Sequence, residues 1–184
     1  MAKTTTSNKT VLAFTMQKQQ EMAWCWAAVG TSTALFFDPA SDWTQCKIVT
    51  TSLDLPPDTC CSQPGGLKCN KTYFLEDSTK TEGSFVEAKV DNGFQAGAIA
   101  FERLIAEINQ NRPVAYRMQL EMMNETVFHF VVIIGYENLN DEQMVTVNDP
   151  FFGNSAMPYE EFTQKYQGNG TVTHTFFTKP MPKT

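Results

Sequence analysis

Residues 19 to 28 of the chain read Gln-Gln-Glu-Met-Ala-Trp-Cys-Trp-Ala-Ala, so Cys25 stands at the head of an Ala-rich helical run, with the Gln19 amide six positions upstream. A thiol at a helix N-terminus feels roughly half a positive charge from unpaired backbone N–H groups, a field that favours the nucleophilic thiolate. Beside it, an amide N–H can join the Cys25 backbone N–H as a donor to the oxyanion formed when a carbonyl is attacked. Taken alone, these ten residues read equally well as a buried cysteine in an apolar helix.

A cysteine nucleophile needs a base, and the chain has two histidines, His129 and His174. His129 lies in Val-Phe-His-Phe-Val-Val-Ile-Ile-Gly-Tyr, residues 127–136, a β-branched and aromatic run that reads as a buried strand with one polar residue near its start. Its second ring nitrogen needs an acceptor. The next strand, 143–149, ends in Asn148 and Asp149, both able to orient an imidazole, and a hairpin through 137–142 brings that end back toward His129. His174 alternates with Val172 and Phe176 in the last strand and reads as a half-buried structural histidine.

Three blocks in this order resemble the papain-like cysteine peptidases, particularly their compact bacterial members. Gln19-x₅-Cys25-Trp26-Ala27-Ala28 is similar to the oxyanion Gln and nucleophile segment, and His129 through Tyr136 resembles the base strand. Asn148-Asp149-Pro150-Phe-Phe-Gly153 resembles the Asp-Pro-x-x-Gly segment of the leader-processing domains of bacteriocin exporters. Trp-Cys-Trp-Ala-Ala, with Thr44-Gln45-Cys46, Cys60-Cys61 and Cys69-Asn70, looks closer still to the effector-type branch. The likeness runs from about Gln17 to Tyr166.

That resemblance implies a two-lobed α+β fold, in which an N-terminal helical lobe carrying the nucleophile helix packs against a C-terminal antiparallel β lobe. It implies Cys25 as nucleophile, His129 as base, Asp149 as the residue orienting the base, and Gln19 as oxyanion donor. The substrate would be a peptide or protein, with no metal or organic cofactor. Two departures stand out. Plant papains place their His and Asn about 130–150 residues beyond the Cys, and both gaps are shorter here. The third member is read as Asp149 because the bacterial pattern carries Asp there and a carboxylate better stabilises an imidazolium; a one-residue slip of register would hand the role to Asn148. The same centre serves an amidase, deamidase, transglutaminase or peptide ligase. Outside catalysis, a peptide-binding papain-like module and a disulfide-knit adhesin are the competing readings.

At 184 residues with 42% hydrophobic content, the chain is sized for one domain with a sizeable core. A net charge of −6 and the absence of any Lys/Arg cluster argue against a nucleic-acid surface. No run approaches the 18 or more apolar residues of a membrane span, and residues 1–10 lack the apolar core of a signal peptide. Setting Cys25 aside leaves Cys46, Cys60, Cys61 and Cys69. Adjacent cysteines rarely bridge one another, so Cys60 and Cys61 are each expected to reach outward, one to Cys46 and one to Cys69. Their spacing lacks the paired Cys-x₂₋₄-Cys of structural zinc sites. Two bridges would imply an oxidising destination and hence secretion; with reduced cysteines the chain would be cytoplasmic. Sequons at Asn8, Asn70, Asn124 and Asn169 have meaning only in a eukaryotic secretory setting.

The elements that must position these groups follow from pattern. Residues 1–10 read as a loose arm and 11–14 as a short strand. A helix starts near Trp24 and ends by Asp38-Pro39. Ser41 or Asp42 caps a second helix through about Thr51, and a cysteine loop covers 55–66. Residues 76–97 read as loop or short strands bordering the cleft. Phe101, Leu104, Ile105 and Ile108 form one apolar helical face, ended at Arg112-Pro113. Strands at about 113–120, 127–136, 143–149 and 171–178 and a short helix from Pro158 through Tyr166 complete a β lobe spanning 113–184. Trp26 is assigned to the core and Trp24 to a cleft wall; Met118, Met122 and Met123 read as packing or a soft subsite.

Overall fold

The computed structural model describes residues 8–122, 124–139 and 142–182. Most of the expected arm and Met123 lie outside them; residues 8–10 are strand. The nucleophile-bearing helix α1 (Cys25–Phe37) starts one residue later than its pattern indicated, with Trp24 as its N-cap residue. It stops at Asp38, just before Pro39, whose ring disfavours a helical predecessor. Every residue from Cys25 to Ala34 is buried, so α1 has no solvent face and serves as the axis of the helical lobe. Helix α2 (Gln45–Ser52) begins at Thr44, not at Ser41 or Asp42. Thr44 has the extended backbone of an N-cap and its hydroxyl accepts the Lys47 N–H, whereas the Ser41 hydroxyl serves the Trp43 N–H. A single turn, α3 (Thr59–Ser62), sits within the cysteine loop, and a second, α4 (Ser84–Glu87), packs on α1.

Close helix packing there depends on Gly30. A Cβ built on it would lie 2.4 Å from the Ser84 Cβ, and the Ser84 hydroxyl donates to the Trp26 carbonyl at 2.9 Å. Helix α5 (Phe101–Asn109) buries Phe101, Leu104 and Ile108, as its periodicity predicts.

Among the described residues, seven strands form one antiparallel sheet: β1 (Asn8–Val11), β2 (Asp91–Ala96), β3 (Val114–Met122), β4 (Glu125–Leu139), β5 (Glu142–Asp149), β6 (Gly153–Pro158) and β7 (Thr171–Thr178). Their order is β2-β7-β3-β4-β5-β6. Where β3 leaves β4, β1 takes up the same strand at residues 135–138. The short strand expected at 11–14 is therefore displaced toward the N-terminus: Val11 is its last residue, paired with Gly135, and beyond it Leu12 still donates to the Ile134 carbonyl. Gly135 permits this approach, because a Cβ there would lie 2.7 Å from the Thr10 carbonyl oxygen. Helix α6 (Tyr159–Lys165) follows β6.

The result is the α+β, two-lobed arrangement expected, with helices packed on an antiparallel sheet. Residues 76–97 hold the loop and short strand expected, with 76–83 irregular and 91–96 forming β2, but α4 lies between them, β2 pairs with β7 at the outer edge of the sheet, and none of these residues lines the pocket beside Cys25. Sulfur atoms pair at bonding distance as Cys46 with Cys61 and Cys60 with Cys69. Cys25 is the free cysteine. No helix among the described residues is long and apolar enough to cross a membrane.

Candidate active site

Three elements converge on one imidazole. His129 projects from β4, Cys25 opens α1, and Asp149 closes β5. The antiparallel β4–β5 register pairs Val132 with Asn148, which carries the last residue of β5 toward the stretch of β4 that bears His129. His129 Nε2 lies 2.9 Å from Asp149 Oδ1, and Cys25 is close enough to the ring to act on its charge, with Nδ1 the nitrogen not spent on Asp149. Asn148, one residue earlier, points the other way: its amide donates to the Phe14 carbonyl at 3.4 Å.

Asp149 is enclosed by donors. Oδ1 also accepts the backbone N–H groups of Phe151 at 2.6 Å and Phe152 at 2.8 Å, and Oδ2 accepts the Tyr166 hydroxyl at 2.6 Å. Burial pushes the Asp149 carboxyl up, but His129, Tyr166 and the Phe152 N–H together hold it below the usual carboxylate range. For His129, burial works against the charged ring. The hydrogen bonds and charges of Asp149 and Cys25 outweigh burial and raise the imidazole to about 10. Such an imidazole keeps its proton between a carboxylate and a sulfur. Burial and the Asp149 charge push the Tyr166 phenol far upward, so it stays a donor.

Gln19 is set beside this group by backbone ties. Its N–H donates to the Pro150 carbonyl at 2.9 Å, joining the segment before α1 to the turn after Asp149. Gln45, buried on α2, clamps either flank: its amide donates to the Lys18 carbonyl and its oxygen accepts the Gln20 N–H. In the free protein the Gln19 amide donates to the carbonyls of Glu21 and Met22 at 2.9 and 2.8 Å, and its Oε1 is buried without a partner. Both donor hydrogens expected to face an oxyanion are thus engaged by the adjoining loop.

The bridged segment braces the start of α1. Cys69 O accepts the Trp24 indole N–H at 2.8 Å, Asn70 Oδ1 accepts the Ala23 N–H at 3.0 Å, and Lys71 O accepts the Trp26 indole N–H at 3.0 Å. Trp24, expected at a cleft wall, is therefore wholly buried, because its indole N–H reaches inward to Cys69. Trp26 is buried as expected, yet it also backs the pocket beside Cys25. Asn70 spends its side-chain oxygen on this brace, Asn169 spends both amide atoms on the Glu121 backbone, and the Asn8 oxygen accepts the Tyr136 hydroxyl at 3.4 Å, so three of the four sequon asparagines have structural work. Met118 is core.

Tyr166 and Gln45 were not singled out from sequence. Tyr166 marked only the end of a helix, and a hydroxyl reaching a carboxylate across α6 and β5 leaves no trace in local spacing. Gln45 sits in the quoted Thr44-Gln45-Cys46 block, which was its one visible signal. His174, half-buried, engages Arg117 through Nδ1 at 2.9 Å and lies apart from the Cys25 and Asp149 pairing.

An open pocket of about 130 Å³ lies beside Cys25, walled by Trp26, Tyr73, Phe74 and Phe128 and containing Arg117. Across the site, the Phe152 ring stands edge-on to His129 at 6.0 Å. A larger hollow of about 510 Å³, lined by Asp42, Lys47, Asp58 and Cys61 among others, contains none of the four expected catalytic residues. Among the described residues, no cluster of three or more His, Cys, Asp or Glu is placed to hold a metal ion.

Residues 11–174 match the model of the Peptidase_C39-like family. A solved structure from Bacillus anthracis, described as that of a C39-like peptidase, superposes with a TM-score of 0.53. It is 15% identical, and the match covers 94% of this chain and 99% of that one. At that identity the likeness speaks for the fold alone. No curated protein matches the chain.

Proposed function

Since the chain belongs to the Peptidase_C39-like family, we propose that it is a cysteine peptidase working through Cys25, His129 and Asp149, with Gln19 assisting. The observation that carries this reading is the single buried imidazole held between the Asp149 carboxylate and the cysteine at the start of α1. The Cys25 sulfur attacks the scissile carbonyl carbon, and the electron pair moves onto oxygen. Because the Cys25 N–H lies in the first helical turn, it has no intrahelical acceptor and is available to that oxyanion. Gln19 becomes the second donor by releasing one of its bonds to the Glu21 or Met22 carbonyl. Collapse breaks the C–N bond as His129 gives its proton to the leaving amine, producing a thioester. His129 then takes a proton from water, whose oxygen attacks the thioester; the C–S bond breaks, the acid leaves, and the Cys25 sulfur is released with the proton held on His129.

Two sulfur pairs at bonding distance support an oxidising destination and secretion. Single substitutions test the catalytic assignment. Cys25→Ala should abolish peptide cleavage with the fold intact. Asp149→Ala should lower kcat by orders of magnitude, Asn148→Ala far less, and Gln19→Ala by about 10²–10³-fold. Full activity in Cys25→Ala would end the proposal. Equal losses at 148 and 149 would end the role given to Asp149.

A further inference from the structure

Arg117 is the one charged side chain among the residues lining the pocket beside Cys25. It lies on β3, in register with Phe130 on β4 and His174 on β7. Its Nε donates to the Thr173 hydroxyl at 2.8 Å, its Nη2 to His174 Nδ1 at 2.9 Å, and its guanidinium carbon stands 4.8 Å from the Phe128 ring centroid. A guanidinium only donates, so His174 Nδ1 is the acceptor and carries no proton. Burial and the Arg117 charge lower the His174 imidazole, consistent with that state. Arg117 therefore has two neutral partners, and among the described residues its ion-pair partner is missing: every Asp or Glu placed against a cation serves Lys9, Lys47, Arg112, His129 or Lys179.

Three of its five N–H groups are left without a partner among the described residues. A half-buried, uncompensated cation is costly in any protein, and this one belongs to a chain of net charge −6 that has acidic side chains to spare. Thr173, His174 and Phe128 also fix its plane in advance, so little side-chain entropy remains to be lost on binding. What a fixed guanidinium fork recognises best is a carboxylate, through paired N–H···O bonds. The walls are the apolar and aromatic faces of Trp26, Tyr73, Phe74 and Phe128, suited to the methylene stem of such a group.

Building on the reading of Cys25 as nucleophile, we propose that this pocket selects a carboxylate on the substrate, held by Arg117. The carboxylate is an acidic side chain near the scissile bond or the free end of a chain.

Binding to the Cys25→Ala protein, measured by calorimetry at low ionic strength, tests this without requiring turnover. The probes are N-acetylated, C-amidated hexapeptides carrying Glu or its isostere Gln at each position in turn, together with the all-Gln peptide bearing a free C-terminal carboxylate. Glu should bind roughly tenfold tighter than Gln at one position if the side chain is read, or the free acid tighter than the amide if the chain end is read. With Arg117→Met the ratio should fall to near one. With Arg117→Lys, which keeps the charge and loses the fork, part of the preference should remain, which excludes misfolding as the cause of the loss. Equal binding of all acid and amide pairs would overturn the proposal, as would a preference that survives Arg117→Met. Wild-type cleavage of the same peptides is followed separately. Arg117-dependent binding without cleavage would retire the peptidase reading and leave the pocket assignment standing. Cleavage with equal binding would do the reverse.

Discussion

Asp149 accepts four hydrogen bonds on two oxygens, and only one of them is from His129. The backbone donors at Phe151 and Phe152 come with the turn and cannot be edited singly, so Tyr166 is the side chain through which the orientation of the carboxylate can be tested. Tyr166→Phe keeps the ring packing and deletes one hydrogen bond to a charge, worth about 1.5–3 kcal/mol. A roughly tenfold or larger fall in kcat with little change in KM is expected. Tyr166 is also one of the groups holding Asp149 low, so its loss should move the acid limb of the pH–rate profile upward. A loss of stability with an unmoved acid limb would mean that the hydroxyl only packs. Of the proposed catalytic group, Cys25, His129 and Asp149 could be put forward from sequence because only two histidines were available and each motif carries its own spacing. Tyr166 and Gln45 could not be, since each acts through a contact distant in sequence from the motif it supports.

At the level of elements, the buried runs were legible. α5, β3, β4, β5 and β7 follow apolar periodicity, and their cores lie where the pattern put them. β6 escaped, and β2 was foreshadowed only loosely by the loop or short strands expected over 76–97, because both are edge strands, Asp-Asn-Gly-Phe-Gln-Ala and Gly-Asn-Ser-Ala-Met-Pro, exposed enough to need no alternation. The start of α2 was misplaced because three candidate caps stand within four residues, and backbone geometry, which composition does not report, chose Thr44. Gly30 carries the clearest prediction at this scale. Adding one methyl group there drives α1 from Ser84 and breaks the bond to the Trp26 carbonyl, so Gly30→Ala should cost about 1–3 kcal/mol of stability, read as a lower denaturant midpoint. Because Cys25 begins the displaced helix, kcat should fall as well; an unaltered midpoint would show that α4 yields freely.

Across the whole molecule, the two lobes meet at the charge pairing of His129, which ties function and stability to one pH window. The folded imidazole is raised to about 10 from the ordinary 6.5. Its contribution to stability is therefore complete below about pH 6.5 and lost progressively as pH climbs through 10. Asp149 is lowered, so its contribution is present above the ordinary carboxylate value of 3.8 and lost as pH falls through the lower folded value. Peptide cleavage should accordingly keep its basic limb near pH 10, and the melting-temperature gap between the parent and His129→Ala should narrow as that pH is approached. A basic limb near 6.5 would show that the imidazole is not held by its two neighbours.

The acceptors that fix Ala23, Trp24 and Trp26 come from residues 69–71, a stretch anchored by the bond between Cys60 and Cys69. Assays of thiol enzymes ordinarily contain dithiothreitol to keep the nucleophile free, and here that additive would attack the frame as well as protect the sulfur. The expected time course is biphasic: a rapid gain as blocked Cys25 is freed, then a decline as the brace opens. Iodoacetamide labelling of denatured samples should count one thiol during the first phase and more during the second. A steady rate throughout, with five thiols labelled, would show that the nucleophile needs no such brace. If the decline appears, a glutathione-rich compartment would hold the protein idle, and an oxidising one would switch it on.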